Sequence, residues 1–153
     1  MKNALATLSL PRVLALALAA ALLSGLSLAQ EHRAISLAGP GASLPFSDGV
    51  VAGNMLFVAG QEGLDGGKLA PGGIGPETRA ALAAIERVVK AAGFQMKDIV
   101  SVTVYLADIK DFDEMNKVYK AVMPDPKPAR ATVQVAALVG NAHVEIAAIA
   151  VKP

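Results

Sequence analysis

Cysteine and tryptophan are absent from this chain of 153 residues. That excludes a disulfide framework, a thiolate zinc site, a cysteine nucleophile and a lipid-modified cysteine. Aromatic residues are scarce, at 4%. Charge is sparse and balanced, with 14 Lys and Arg against 13 Asp and Glu and a net +1. This near-neutral balance argues against nonspecific nucleic-acid binding, which needs a basic face. What abounds is apolar: 54% of residues are hydrophobic and 18% charged. Such a chain is too apolar to stay disordered, and its length suits one domain.

Much of the apolar content lies at the N-terminus. Residues 1–29 carry Lys2 and Arg12 and no acid, and every residue from 13 to 23 is Val, Ala or Leu. Ser24 and Gly25 break the run, and Ser27-Leu28-Ala29 sets small residues around a cleavable bond. This is the pattern of a secretory leader. An uncleaved anchor fits less well, because spanning a bilayer needs about 20 apolar residues and this run is shorter. Arg12 stands alone, so no twin-arginine signal is present. The expectation is a cut after Ala29, a periplasmic or secreted mature domain of residues 30–153, and no stable membrane insertion afterwards. Loss of Lys2 and Arg12 takes the net charge from +1 to −1.

The mature region alternates strand and helix signals. A short strand is expected near Ile35. Residues 49–52 and 55–59 read as a hairpin around Gly53-Asn54, a pair suited to a tight turn. Residues 60–75 are rich in glycine and proline and read as a loop, with room for a short irregular hairpin. Residues 76–92 predict a helix: Pro76 opens it, Glu77 favours its dipole, Gly93 stops it, and Ala81, Leu82, Ile85, Val88, Val89 and Ala92 form one apolar face. A strand lies within 98–108, where Val100, Val102, Val104 and Leu106 alternate with polar residues. Residues 111–122 predict a second helix, with Asp111 and Glu114 at capping-box spacing. Pro124, Pro126 and Pro128 then forbid helix, and residues 131–135 and 144–151 read as strands. The order predicts an α+β fold, one mixed sheet with two helices packed on one face. The other sheet face is also apolar, so another subunit is expected to cover it.

Several motifs fail on inspection. Gly66-Gly67-Lys68 looks like the end of a phosphate loop, but Glu62 stands where the first glycine belongs and Leu69 replaces Ser or Thr. Gly73-Ile74-Gly75 lacks the third glycine of a dinucleotide fingerprint, since Thr78 stands there. His32 and His143 have no local carboxylate at metal spacing, which favours structural or surface roles over zinc.

Arg130 and Glu145 stand out against their surroundings. Arg130 opens an apolar strand after a proline-rich turn, and Glu145 interrupts the most apolar stretch of the mature chain. A carboxylate there is rarely buried without a partner. Strand parity puts Arg130, Thr132 and Gln134 on one face. If the two strands are neighbours, Arg130 and Glu145 could meet. A structural ion pair, or a Glu145 at an exposed edge, fits the same residues.

These residues carry a family resemblance. Gly53-Asn54-Met55, Ala59-Gly60-Gln61, the helix of residues 78–93, Asp111-Phe112 with Asn116 and Tyr119, Pro128-Ala129-Arg130 and Val144-Glu145-Ile146 together resemble the RidA family, also called YjgF or L-PSP endoribonuclease. The resemblance runs from about Leu44 to Lys152. It implies a chorismate-mutase-like homotrimer of the trimeric type, with three sheets closed into a barrel, helices outside and clefts between subunits. It implies hydrolysis of reactive 2-imino and 2-enamino acids to 2-keto acids and ammonia, with no metal or organic cofactor. Arg130 would grip the substrate carboxylate through two parallel N–H bonds, which lysine does less well. Glu145 would handle the attacking water. The Gly60 N–H and the backbone at Thr132 would orient the substrate, with Asn116 near the cleft.

Three positions depart from the family pattern. Phe46 stands where the archetype has tyrosine, Ala59 where it has serine, and Thr132 where cysteine is common. Two hydroxyls are lost, which predicts a more apolar pocket and a shift toward larger or more apolar imino acids. A non-catalytic trimeric binder of small carboxylates is the competing function. The nuclease activity implied by the older family name is disfavoured by the mature net charge and the lack of a basic-aromatic stripe.

Overall fold

The computed structural model describes residues 32–38 and 44–153; the predicted leader and its cleavage bond lie outside the described residues. Strands β1 (His32–Ile35), β2 (Gly49–Ala52) and β3 (Met55–Glu62) follow one another antiparallel. The β2–β3 turn is Gly53-Asn54, where Gly53 alone takes a positive φ, of 60°. Glycine at the first central position is what a two-residue hairpin turn needs. Within the predicted loop, β4 (Leu64–Asp65) and β5 (Lys68–Leu69) form a small separate hairpin.

Helix α1 spans Ile74–Ala91 and starts two residues before the predicted Pro76. Pro76 remains in the first turn, where a missing N–H leaves no hydrogen bond unmade. Its end is a Schellman turn: Phe94 N–H donates to Val89 O and Gly93 N–H to Lys90 O, both at 2.9 Å, with Gly93 at φ 85°. Strand β6 (Ile99–Leu106) follows, then α2 (Phe112–Val122), β7 (Ala129–Gln134) and β8 (Val144–Val151). The predicted capping box of α2 does not form. Asp111 makes no side-chain cap, and Glu114 pairs instead with Lys117 at 2.7 Å. Asp108 accepts the Lys110 N–H at 2.9 Å and opens a 3₁₀ turn that runs into the helix.

The main sheet has the order β1-β2-β3-β8-β6-β7, with β6 and β7 parallel and the other pairs antiparallel. Thus β8 pairs with β3 and β6, and β6 separates it from β7. Expected contact between Arg130 and Glu145 through neighbouring strands is therefore corrected. The physical reason is topological: β7 pairs parallel with β6 after the α2 crossover, and β8 then returns antiparallel to fill the gap between β3 and β6.

Alternation sets the two faces. Leu56, Val58, Val102, Val104, Leu106, Val144, Ile146 and Ala148 are buried under the helices, together with Leu82, Ile85, Val88 and Val89 of α1 and Met115 and Tyr119 of α2. Each large aliphatic side chain buried this way contributes about 1.5–3 kcal/mol. The opposite face carries Phe57, Ala147, Ile149 and Val133, and it lies open: Phe57 is 42% and Val133 45% exposed.

Candidate functional site

Glu145 lies on the open face of β8, directly opposite Glu62 of β3 and Tyr105 of β6. The β3–β8 register shifts between Val58 and Gln61, so β3 carries one extra residue at Ala59-Gly60. This bulge brings Gly60 under the Glu145 side chain, where a Cβ would overlap Oε1 and come within 2.6 Å of the carboxyl carbon. Phe46, Ala59, Gly60, Glu62, Val139 and Glu145 share the wall of a cavity of about 500 Å³. Four of the sequence-selected residues, Phe46, Ala59, Gly60 and Glu145, therefore converge.

Arg130, Thr132 and Asn116 lie elsewhere. In the parallel register Arg130 pairs with the buried Val102 and Thr132 with the buried Val104, so both face the helix side of the sheet. The Arg130 guanidinium carbon lies 4.5 Å from the Tyr119 ring centre and 5.8 Å from that of Phe112. Asn116, Tyr119 and Arg130 line a second groove, of about 460 Å³. Tyr119 Oη and Thr132 Oγ1 are buried with no hydrogen-bond partner among the described residues. Burial pushes the Tyr119 phenol above its ordinary value, while the Arg130 charge pulls the other way.

Within one chain the candidate residues thus form two half-sites, on opposite faces of the sheet and two strands apart. Neither half holds both Arg130 and Glu145.

Two features escaped the sequence reading. Glu77, assigned there only to the helix dipole, is 2% exposed. It accepts the His143 backbone N–H at 2.8 Å and lies 2.6 Å from His143 Nδ1. Gly63 packs so closely on Glu77 that a Cβ would overlap its backbone. Helical period was the available signal, since Glu77 shares a face with Ala81, Ala84 and Ile85. Glu62 is the second feature. Desolvation first, then the negative charges of Glu145 and Glu77, raise its carboxyl above the ordinary 4.5. No local pattern announces it, because its significance comes from a partner 83 residues later (145 − 62) in register.

Known proteins place the chain. The family profile described as endoribonuclease L-PSP matches residues 37–152. A Bos taurus protein named 2-iminobutanoate/2-iminopropanoate deaminase is 44% identical over 115 residues, covering 74% of this chain and 84% of that protein. The crystal structure of the YjgF gene product from E. coli matches with a TM-score of 0.73 and 34% identity, over 79% of this chain and 99% of that one. E. coli TdcF with bound serine also matches with a TM-score of 0.73, at 35% identity, over 79% of this chain and 99% of that one. The mixed sheet with two helices on one face is accordingly the chorismate-mutase-like fold of these structures. The chain belongs to the L-PSP endoribonuclease family, known also as RidA or YjgF.

Proposed function

We propose that this protein hydrolyses 2-imino and 2-enamino acids to 2-keto acids and ammonia, in clefts completed between copies of a homotrimer. One observation carries the reading: Arg130 is stacked on Tyr119 and has no carboxylate within ion-pair distance among the described residues. A guanidinium held over a ring, with no hydrogen-bond partner for its N–H groups among the described residues, is prepared to take a planar anion with two parallel bonds. The bovine relative is named for acting on 2-iminobutanoate and 2-iminopropanoate, which carry a carboxylate next to the imine carbon.

Glu145 supplies the other half. With a carboxylate gripped by Arg130 of one copy, Glu145 of the next would face the imine carbon. An enamine first tautomerises to the imine. Water then adds to C2, its proton passing through Glu145 to the nitrogen. Collapse of the carbinolamine breaks the C–N bond, releases ammonia and leaves the hydroxyl oxygen as the keto oxygen. The Gly60 N–H and the backbone at Thr132 orient the substrate, with Asn116 beside Arg130. The uncovered apolar sheet face supports the assembly, because a second copy would remove Phe57 and Val133 from water.

Phe46 and Ala59 favour a second reading, a binder of small carboxylates without turnover. Both put hydrocarbon in the Glu145 cavity, and TdcF is a relative with serine bound. One experiment separates the two. Imine is generated by an amino-acid oxidase with semicarbazide as trap, and keto-acid release is followed for residues 30–153 and for Arg130→Ala and Glu145→Gln. The deaminase requires Arg130-dependent loss of trapped imine, abolished by Glu145→Gln. No effect on the trap, with ligand held equally by Glu145→Gln, selects the binder.

We also propose that residues 1–29 are removed on export to the periplasm or beyond. N-terminal sequencing of exported protein should begin at Gln30; recovery of only Met1-initiated protein from the cytosol would overturn this.

A further inference from the structure

Glu62 is an acid that the proposed chemistry leaves unused. It closes β3 with Glu145 as its cross-strand partner, and both side chains line the same cavity. Directly opposed residues on one face of an antiparallel pair have Cβ atoms about 4.5–5.5 Å apart, and like charges there are unfavourable. Among the described residues no Lys, Arg or His lies within ion-pair distance of either carboxylate. The surrounding titratable groups do not remove the conflict. Glu77 of α1 adds a further negative charge near Glu62 and is itself held by His143. Asp48, ahead of β2, accepts the Leu37 N–H at 2.7 Å, and Tyr105 of β6 faces Glu145. Arg87 of α1 is on the cavity wall but outside ion-pair reach. The bulge at Ala59-Gly60 fixes the arrangement by seating the Glu145 carboxylate over Gly60.

We propose that Glu62 and Glu145 act as one carboxyl pair, in which Glu62 is a positioning residue that, from its place opposite Glu145 on the cavity wall, governs how readily Glu145 takes a proton from water. The proposal rests on the role given to Glu145 above. Two coupled carboxyls release their protons in two steps that belong to the pair, the second against the charge left by the first. Burial and its acidic neighbours hold the Glu62 proton more tightly than in an ordinary carboxyl.

The test compares the wild-type assembly with Glu62→Gln, which keeps the shape, and Glu62→Leu, which keeps neither charge nor hydrogen bonding. The pH dependence of kcat/KM should show its acid limb moved to lower pH by roughly half a unit or more in both variants, because a like charge has gone. A merely structural residue would change stability or KM and leave the limb in place. An acid limb unmoved in both variants, with wild-type rates retained, overturns the proposal. A wild-type protein without imine turnover overturns the deaminase reading instead. The pair is then decided by ¹³C NMR titration of glutamate carboxyls, with Glu145 assigned through Glu145→Gln. Mutual two-step titration that becomes a single step in Glu62→Gln supports the pair, and independent single steps in the wild type overturn it.

Discussion

The Glu145 carboxylate fills the space that a Cβ on Gly60 would occupy. Gly60 lacks the positive φ that marks Gly53 and Gly93, so glycine is required there for room, not for backbone freedom. Gly60→Ala should displace the carboxylate and lower kcat by about a hundredfold, the scale expected for misplacing a reacting group by an ångström. Unfolding in urea should change little. Wild-type turnover in Gly60→Ala would show that the carboxylate position is not critical.

Arg130→Lys keeps the charge but loses the two-pronged edge and the guanidinium contact with the Tyr119 ring. Removing one charge-assisted hydrogen bond costs about 1.5–3 kcal/mol, or roughly ten- to a hundredfold in kcat/KM. The loss should appear chiefly in KM when the carboxylate grip is equal in ground and transition states. Steady-state kinetics with the imine of alanine measures it, and equal KM values in both proteins would remove the bidentate grip.

Glu62 also links stability to pH. Its folded carboxyl binds a proton more tightly than the unfolded chain does. The folded state therefore holds more protons in the window just above the ordinary 4.5, and stability falls as pH rises through the raised value. Glu62→Gln should flatten that slope and leave the mutant the more stable protein above the window. Urea midpoints at several pH values between about 4 and 7 test the sign. A parallel pair of curves would contradict it.

Strands, helices and the open apolar face were legible because local period writes them into the chain. Val144 to Val151 is an apolar run broken only by Glu145 and forms a strand with those limits, its burial alternating along the whole length. Sheet order was not legible. The placement of β6 between β7 and β8 depends on pairing energies distributed over three distant segments, and so the two halves of the site could not be located from Arg130 and Glu145 alone. The same holds for the Asp111 cap, where Asp108 captured the turn first. Residue chemistry identified Arg130 and Glu145, but only the register revealed that they face opposite sides.

Glu77 ties α1, Gly63 and the approach to β8 at one buried point. Glu77→Ala leaves the His143 backbone N–H without its acceptor, removes the ring nitrogen's partner, and should destabilise the fold by about 1–3 kcal/mol. Glu77→Gln retains a carbonyl oxygen for the backbone N–H and should recover much of the loss. Urea unfolding reads both variants, and equal midpoints for alanine and glutamine would mean that packing alone matters there.

The opposed half-sites make a demand on assembly that can be tested directly. Arg130→Ala and Glu145→Gln should each be inactive alone, since every cleft lacks one half. Co-refolded together, some clefts receive Arg130 from a Glu145→Gln chain and Glu145 from an Arg130→Ala chain. In a closed ring assembled at random, about a quarter of clefts have that ordered pair, so activity should return to about a quarter of wild type. Recovery requires exchange of subunits and cannot arise if both residues serve within one chain. Phe57→Asp or Val133→Asp should abolish the recovery by charging the open sheet face proposed to meet a second copy. Size-exclusion chromatography with light scattering checks that the same variants dissociate. Mixed samples that remain inactive while forming stable mixed trimers would refute the shared cleft.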